Sequence, residues 1–382
     1  MTSLDDYAAG RLQALADASL LRRLRTTDTG PSHRVRARDA VNFCSNDYLG
    51  LAGDARLAAA AAEAARAFGV GAGASRLVTG NHALYEVLEA KIAALKGTEA
   101  AVVFGSGYLA NLGTIPALVG AGDLILADAL SHACMMSGAR LSGANVVLFR
   151  HNDVGDLAAL LAAHRRSARH CLVLTEGVFS MDGDLAPLPD IIAAARDHDA
   201  WVMTDDAHGL GVIANGRGSA AHWGVRPDVQ MGTLSKAVGS YGGYVAASRA
   251  VADLLVNRAR SLIYATGLPP TVVAASIAGL DIIASDAALC AAPLRHARVF
   301  AAALDLPVPQ SPIVPLIVGA SGVALEASAA LEAHGFLVTA IRPPTVPDGT
   351  ARLRVTFTAA HREEDVRRLA EAVSAVLPGA RR

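Results

Sequence analysis

The chain contains three lysines against 31 arginines, and one of the three, Lys236, stands where chemistry is done. It follows a short apolar run and the pair Thr233 and Ser235. It precedes Gly239, Gly242 and Gly243, which let another group approach the backbone closely. Alone, a lysine at a strand end is more often a surface charge than a nucleophile. Its company reverses that preference. Four other apolar runs end in polar clusters: Gly105-Ser106-Gly107-Tyr108, Asp128 through Ser131-His132, Glu176 through Ser180, and Asp205-Asp206-Ala207-His208. In an open α/β sheet, ligands bind outside the carboxyl ends of the strands, so these clusters share one place.

A Schiff-base lysine, an acid to keep a pyridine nitrogen protonated and an anion site for a phosphate are together what pyridoxal phosphate (PLP) requires. Lys236 offers the first and Asp205 the second. Gly107 and Tyr108, ahead of a helix expected over 111–118, offer free N–H groups and a positive dipole end for the third, and Thr233 and Ser235 add hydroxyls. His132 can stack on a flat ring, while His208 and Ser180 can hydrogen-bond its phenolic oxygen. Singly, each histidine fits a structural role better, and Asp205 also suits a helix cap or, with His208, a metal. No third metal ligand is placed by the sequence. Lys91 and Lys96, in or beside a helical stretch at 84–95, read as solvated surface charges. Gly209-x-Gly211-x-x-Ala214 imitates a dinucleotide fingerprint, but its strand ends too early and no long helix follows Gly211.

Seven apolar runs separated mostly by helical stretches, at 101–104, 124–127, 146–149, 172–175, 202–204, 229–231 and 244–247, predict an α/β fold with a mostly parallel seven-stranded sheet. Only about ten residues separate the last two, too few for a parallel crossover, so the final strand should be antiparallel. Residues 4–24 read as an amphipathic arm ending in Arg22, Arg23 and Arg25, followed by a loop with Gly30 and Pro31 and a strand or hairpin reaching Phe43. Helices are expected at 57–68, at 251–262 and after Pro269-Pro270. The predicted division is an N-terminal arm (1–45), a large PLP-binding domain (46–288) and a small C-terminal α+β domain (289–382).

A net charge of −1 without a long basic run leaves no electrostatic footprint for nucleic acid. No window has eighteen uninterrupted apolar residues, and the most apolar stretch, 262–284, is broken by Thr266, Pro269, Pro270 and Asp281, so no membrane span is expected. Asp5 and Asp6 replace the basic start of a secretory signal, which predicts a cytoplasmic protein. Cys44, Cys134, Cys171 and Cys290 lack paired spacing, against both a zinc site and a disulfide framework.

Longer runs carry a resemblance: Asn46-Asp47-Tyr48-Leu49-Gly50, Thr175-Glu176-Gly177-Val178-Phe179-Ser180-Met181-Asp182-Gly183-Asp184, Asp205-Asp206-Ala207-His208-Gly209 and Leu268-Pro269-Pro270. Over nearly its whole length the chain resembles the α-oxoamine synthases, fold-type I PLP enzymes that condense an amino acid with an acyl-CoA. His151-Asn152-Asp153-Val154 and Ile341-Arg342-Pro343-Pro344-Thr345-Val346-Pro347 are most similar to the members serving biotin synthesis. Those join L-alanine to a pimeloyl thioester, on CoA or acyl carrier protein, with loss of CO2. Ser75 stands where glycine users commonly carry threonine and leaves room for the alanine methyl.

The resemblance implies that Lys236 carries PLP, Asp205 pairs with its ring nitrogen, His132 stacks on it, and Ser180 and His208 contact its hydroxyl. It implies Gly107, Tyr108 and Thr233 around the phosphate, Thr266 donated by a second subunit of a homodimer, Arg354 with Asn46 on the amino-acid carboxylate, and Arg22, His132 and Thr345 on the substrate. Tyr85 replaces a commonly seen histidine, and Gly267 a serine. The alternatives are a sister synthase forming 2-amino-3-oxobutyrate or 5-aminolevulinate, and a PLP-binding regulator. The regulator is disfavoured because the roughly forty residues before the body show no DNA-reading pattern.

Overall fold

A computed structural model describes residues 3–24, 34–35 and 40–377 of the chain. A short antiparallel pair, β1 (Arg34–Val35) and β2 (Ala40–Asn42), precedes the main sheet. That sheet consists of β3 (Ala100–Phe104), β4 (Leu124–Asp128), β5 (Asn145–Phe149), β6 (Cys171–Glu176), β7 (Trp201–Asp205), β8 (Val229–Thr233) and β9 (Gly243–Ala247). Their order is β3-β9-β8-β7-β6-β4-β5. All seven predicted runs are strands. Sheets covered on both faces need strands that are apolar throughout, which is why these runs are continuous rather than alternating.

Strands β4 to β8 pair in parallel, whereas β9 is antiparallel to both β3 and β8, as its short connection requires. Alternate residues face opposite layers. On one side Val102 and Phe104 pack with Ala110 and Ile115 of the helix Gly107–Leu118 and with Met135 of the helix Ala133–Ser142. On the other, Ala101 and Val103 pack with Leu88 and Ile92 of the helix Leu84–Lys96 and Leu280 of the helix Pro270–Ser285. The strand order changes direction between β6 and β4, and the loops after these two strands carry Ser180 and His132.

A smaller body is built from β10 (Ile313–Gly319), β11 (Phe336–Leu337), β12 (Thr339–Ile341) and β13 (Ala351–Thr356). Strands β10, β13 and β12 form an antiparallel sheet, while β11 lies parallel to β2, so residues 40–42 are part of this body. Its core joins Phe43, Phe300, Leu353, Val355 and Phe357 with the helix Glu363–Val376. Because Leu353 and Val355 fill that core, Arg352 and Arg354 leave β13 on the opposite face.

The arm is a helix only over Leu4–Asp17, started by a capping box between Ser3 and Asp6 and burying none of its residues. It therefore stops short of Arg22 and Arg23; Arg25, Gly30 and Pro31 lie outside the described residues. The helix expected at 251–262 is broken at Ala259 into Arg249–Arg258 and Arg260–Ile263. No single helix among the described residues is long and apolar enough to cross a membrane, and none of the cysteines forms a disulfide.

Candidate active site

Lys236 sits just beyond β8, half-buried, with its Nζ 2.8 Å from His208 Nε2. Burial lowers its pKa to about 8 against the opposing pull of Asp205 and Glu176, so an appreciable fraction is the free amine near neutral pH. His208 is buried as well, and its pKa is pushed well below 6.5 by that burial and then by the positive charges of Lys236 and Arg354. Its Nδ1 lies 2.7 Å from Tyr48 Oη. Arg354 Nη2 donates to the same oxygen at 3.4 Å, and Arg354 Nη1 donates to Asn46 Oδ1 at 3.0 Å. A hydrogen-bonded chain thus runs from the lysine amine through an uncharged imidazole and a phenol to a guanidinium on the other sheet.

Arg354 is 5% exposed, and among the described residues it has no carboxylate partner. Its Nε donates to the Ser180 carbonyl at 2.5 Å. Arg352, two positions away on the same face, is instead neutralised by Asp182 at 2.6 Å. A buried guanidinium without an acid is costly unless a ligand supplies one.

Asp205 ends β7, also 5% exposed, and is held by hydrogen-bond donors rather than a cation: Asn111 Nδ2 reaches Oδ2 at 2.8 Å, and the Ala207 N–H reaches Oδ1 at 3.0 Å. It can therefore accept a further proton-bearing nitrogen. Beside it in register on β6, Glu176 is buried and accepts from the Ser180 N–H at 3.1 Å. Burial and then the Asp205 charge raise its pKa well above 4.5. Asp206 points elsewhere: Lys96 Nζ meets its Oδ2 at 2.7 Å, both side chains being 1% exposed. Lys96 also donates to the Arg217 carbonyl. The reading of Lys96 as a solvated charge is therefore corrected. It is buried at the end of its helix because the spacing from Leu88 and Ile92 puts all three on one face. Lys91 is the half-exposed one, paired with Asp281.

His132 caps the helix Ala133–Ser142, its Nδ1 accepting from the Cys134 N–H at 3.2 Å, which leaves the proton of the neutral ring on Nε2. Burial lowers its pKa, partly offset by Asp205. Ser106 caps the helix beginning at Gly107 by accepting from Leu109, so the N–H groups of Gly107 and Tyr108 open that helix without an intrahelical acceptor. A Cβ on Gly243 would lie 2.5 Å from the Ser106 carbonyl carbon, so only glycine lets β9 close against this turn. Thr233 Oγ1 donates to the Gly242 carbonyl at 2.8 Å and accepts from the Ser235 N–H at 3.2 Å.

Two predicted residues lie at the edge of this arrangement. Arg22 Nη2 donates to Thr345 Oγ1 and to the Pro343 carbonyl, both at 3.4 Å, so the arm and the small body meet there. Thr266 is exposed and forms an isolated bridge with Ser75. No hydrogen bond among the described residues joins it to the Lys236 cluster. The two departures from the family pattern touch: Tyr85 Oη accepts from the Leu268 N–H, and a Cβ on Gly267 would come within 3.2 Å of that hydroxyl. Tyr48, Asn111 and Glu176 carry no role assigned from sequence. Asn111 stands one helical turn after Gly107, a spacing that marks it as facing the same crevice.

The donor set fits pyridoxal phosphate: a half-buried lysine of lowered pKa, a buried carboxylate with no cation paired to it among the described residues, a neighbouring imidazole and an open helix N-terminus. Among the described residues no His, Cys, Asp and Glu cluster suits a metal.

Comparison with known proteins gives the same direction. A family model described as aminotransferase class I and II matches residues 38–373. The chain is 57% identical over 379 residues to 8-amino-7-oxononanoate synthase of Maricaulis maris (strain MCS10), covering 98% of this chain and 97% of that protein. Among solved structures, serine palmitoyltransferase from S. paucimobilis with PLP and myriocin bound aligns with a TM-score of 0.90 at 30% identity, covering 97% of this chain and 98% of that one. 8-Amino-7-oxononanoate synthase from Francisella tularensis aligns with a TM-score of 0.76 at 25% identity, covering 88% and 97%.

Proposed function

The chain belongs to the 8-amino-7-oxononanoate synthase family, within the class I and II aminotransferases, and from that premise we propose that it condenses L-alanine with a pimeloyl thioester in biotin biosynthesis. The products are 8-amino-7-oxononanoate, CO2 and the free thiol of CoA or acyl carrier protein. The observation that carries this reading is Arg354: a buried guanidinium with no acid partner among the described residues, joined through Tyr48 and His208 to a lysine of lowered pKa. An α-amino acid brings a carboxylate for the one and an amine for the other.

Pyridoxal phosphate, when bound, supplies the electron sink for a carbanion at the α-carbon. Lys236 would hold it covalently and would serve as the base that takes the α-proton. Asp205, steadied by Asn111, would keep the ring nitrogen protonated, His132 would stack on the ring, and Ser180 and His208 would contact its hydroxyl. The N–H groups of Gly107 and Tyr108 would hold the phosphate, with the Thr233 hydroxyl as a further donor. Thr266 would reach the phosphate from a second copy in a homodimer. Arg354 and Asn46 grip the alanine carboxylate, and Arg22, His132 and Thr345 line the acyl side. The new C–C bond joins the α-carbon to the acyl carbon as the C–S bond breaks. The carboxylate then leaves as CO2 and the α-carbon is reprotonated. We place the reaction in the cytoplasm.

Mass spectrometry of the purified protein incubated with L-alanine and pimeloyl-CoA tests this. The expected product is 8-amino-7-oxononanoate; condensation with glycine but not with alanine would overturn the assignment.

A further inference from the structure

His151 lies outside the site described above, yet strand-end loops of the main sheet meet on it. Its Nδ1 faces the two oxygens of Asp128 at 3.0 and 3.2 Å, and its Nε2 faces Asp184 Oδ2 at 2.9 Å. Its ring packs edge-on to Phe179, centroids 4.3 Å apart. Asn152 reinforces both ends, its N–H donating to Asp128 at 2.8 Å and its amide to Asp184 at 2.7 Å. Asp128 is the buried last residue of β4, just ahead of His132. Asp184 closes a hairpin whose two sides bridge at Val178 and Leu185.

The turn of that hairpin grips both arginines of β13. The Ser180 carbonyl accepts from Arg354 Nε at 2.5 Å, while Asp182 Oδ1 and the Met181 carbonyl accept from Arg352 Nη1 at 2.6 and 3.2 Å. A neutral imidazole has one N–H and cannot donate to two carboxylates; an imidazolium has two. We infer that His151, as an imidazolium, is a positioning residue that clamps the 178–185 hairpin to the main sheet and so holds Arg354 in register for the substrate carboxylate. The inference rests on the proposed role of Arg354.

Burial opposes the charge on His151, but hydrogen bonds to Asp128 and Asp184 and their negative charges outweigh it and raise its pKa to about 10. The other charges nearby, Arg150, Asp153 and Asp156, pair with one another, so Asp128 and Asp184 are the charged groups that face the ring. The clamp should hold at neutral pH and loosen in alkali.

The test compares the wild-type holoenzyme with His151→Asn, Asp184→Asn and the double variant between about pH 7 and about pH 10. Near neutral pH each single variant should raise the KM for L-alanine roughly three- to tenfold with kcat and cofactor content little changed, and the double variant should be no worse than the poorer single. The ratio of variant to wild-type KM should shrink towards one as pH rises, because the wild type then loses the same charge. This ratio also cancels the titration of alanine itself. A constant ratio, or a loss confined to kcat and cofactor content, overturns the inference. NMR of histidine ring carbons gives a readout without turnover. The resonance missing from His151→Asn should titrate near about 10 in the wild type, with amide exchange at 180–184 rising alongside; titration near the ordinary histidine value overturns the clamp. Absence of any turnover with L-alanine would fall on the proposed activity, and the NMR result would still decide the clamp.

Discussion

Asp205 and Asp206 are neighbours in sequence, both buried, and they end in opposite situations. Asp206 is closed: Lys96 neutralises it at 2.7 Å and the Ser219 N–H satisfies it further. A Cβ on Gly218 would come within 1.8 Å of its carboxylate, so the backbone wraps it tightly. Asp205 is open, supported by Asn111 and Ala207 and paired with no cation among the described residues. The same contrast recurs at Arg352, paired with Asp182, and Arg354, paired with no acid among the described residues. Buried charges that are fully answered within the fold act as structure. Those left unanswered wait for groups from outside.

The sharpest way to break that contrast is to remove each lysine in turn. Lys236→Ala should cut turnover by about 10²- to 10⁴-fold, the usual worth of a positioned acid–base group, while leaving thermal stability near wild type. Lys96→Ala should do the reverse, since breaking a buried pair from one side costs about 3–5 kcal/mol of stability. Urea titration beside an activity assay reads both; a stable Lys96→Ala with lost turnover would collapse the distinction.

Exchanging the acids should give smaller effects. Losing a charge-assisted contact to the ring nitrogen is worth about 1.5–3 kcal/mol, so Asp205→Asn should lower kcat at least tenfold while still binding cofactor. Asp206→Asn should instead lower the urea midpoint. Near-normal kcat in Asp205→Asn would move the role elsewhere. On β13, Arg354→Ala should raise the KM for alanine by about ten- to a hundredfold with the cofactor's absorbance intact, whereas Arg352→Ala should mainly reduce stability.

A further effect is pH-dependent. The His151 pKa stands at about 10 in the fold against 6.5 for the free side chain, so its stabilisation is complete below the unfolded value and is lost as pH climbs to the folded one. The Tm should therefore decline between about pH 6.5 and about pH 10 more steeply in wild type than in His151→Asn.

Much of this was legible because strand and chemistry coincide. Each buried strand is a short apolar run, and each site residue on a strand end follows directly, as Asp205 and Lys236 do. Contacts between distant segments were not: nothing local to Tyr48 announces His208, and nothing near Arg354 says that Arg352 meets an acid while Arg354 meets none among the described residues. Lys96 was misread because its charge outweighed its spacing from Leu88 and Ile92, which places it on the buried face of its helix. Helix ends were blurred where alanine-rich sequence gives little punctuation, as between Asp17 and Arg22.

We propose that the open cluster, and not the closed one, carries the cofactor. Borohydride reduction of the holoenzyme followed by peptide mapping tests it most directly. One pyridoxyl group on Lys236, absent from Lys236→Ala, is the expected result; an adduct on Lys96 or Lys91 would contradict it.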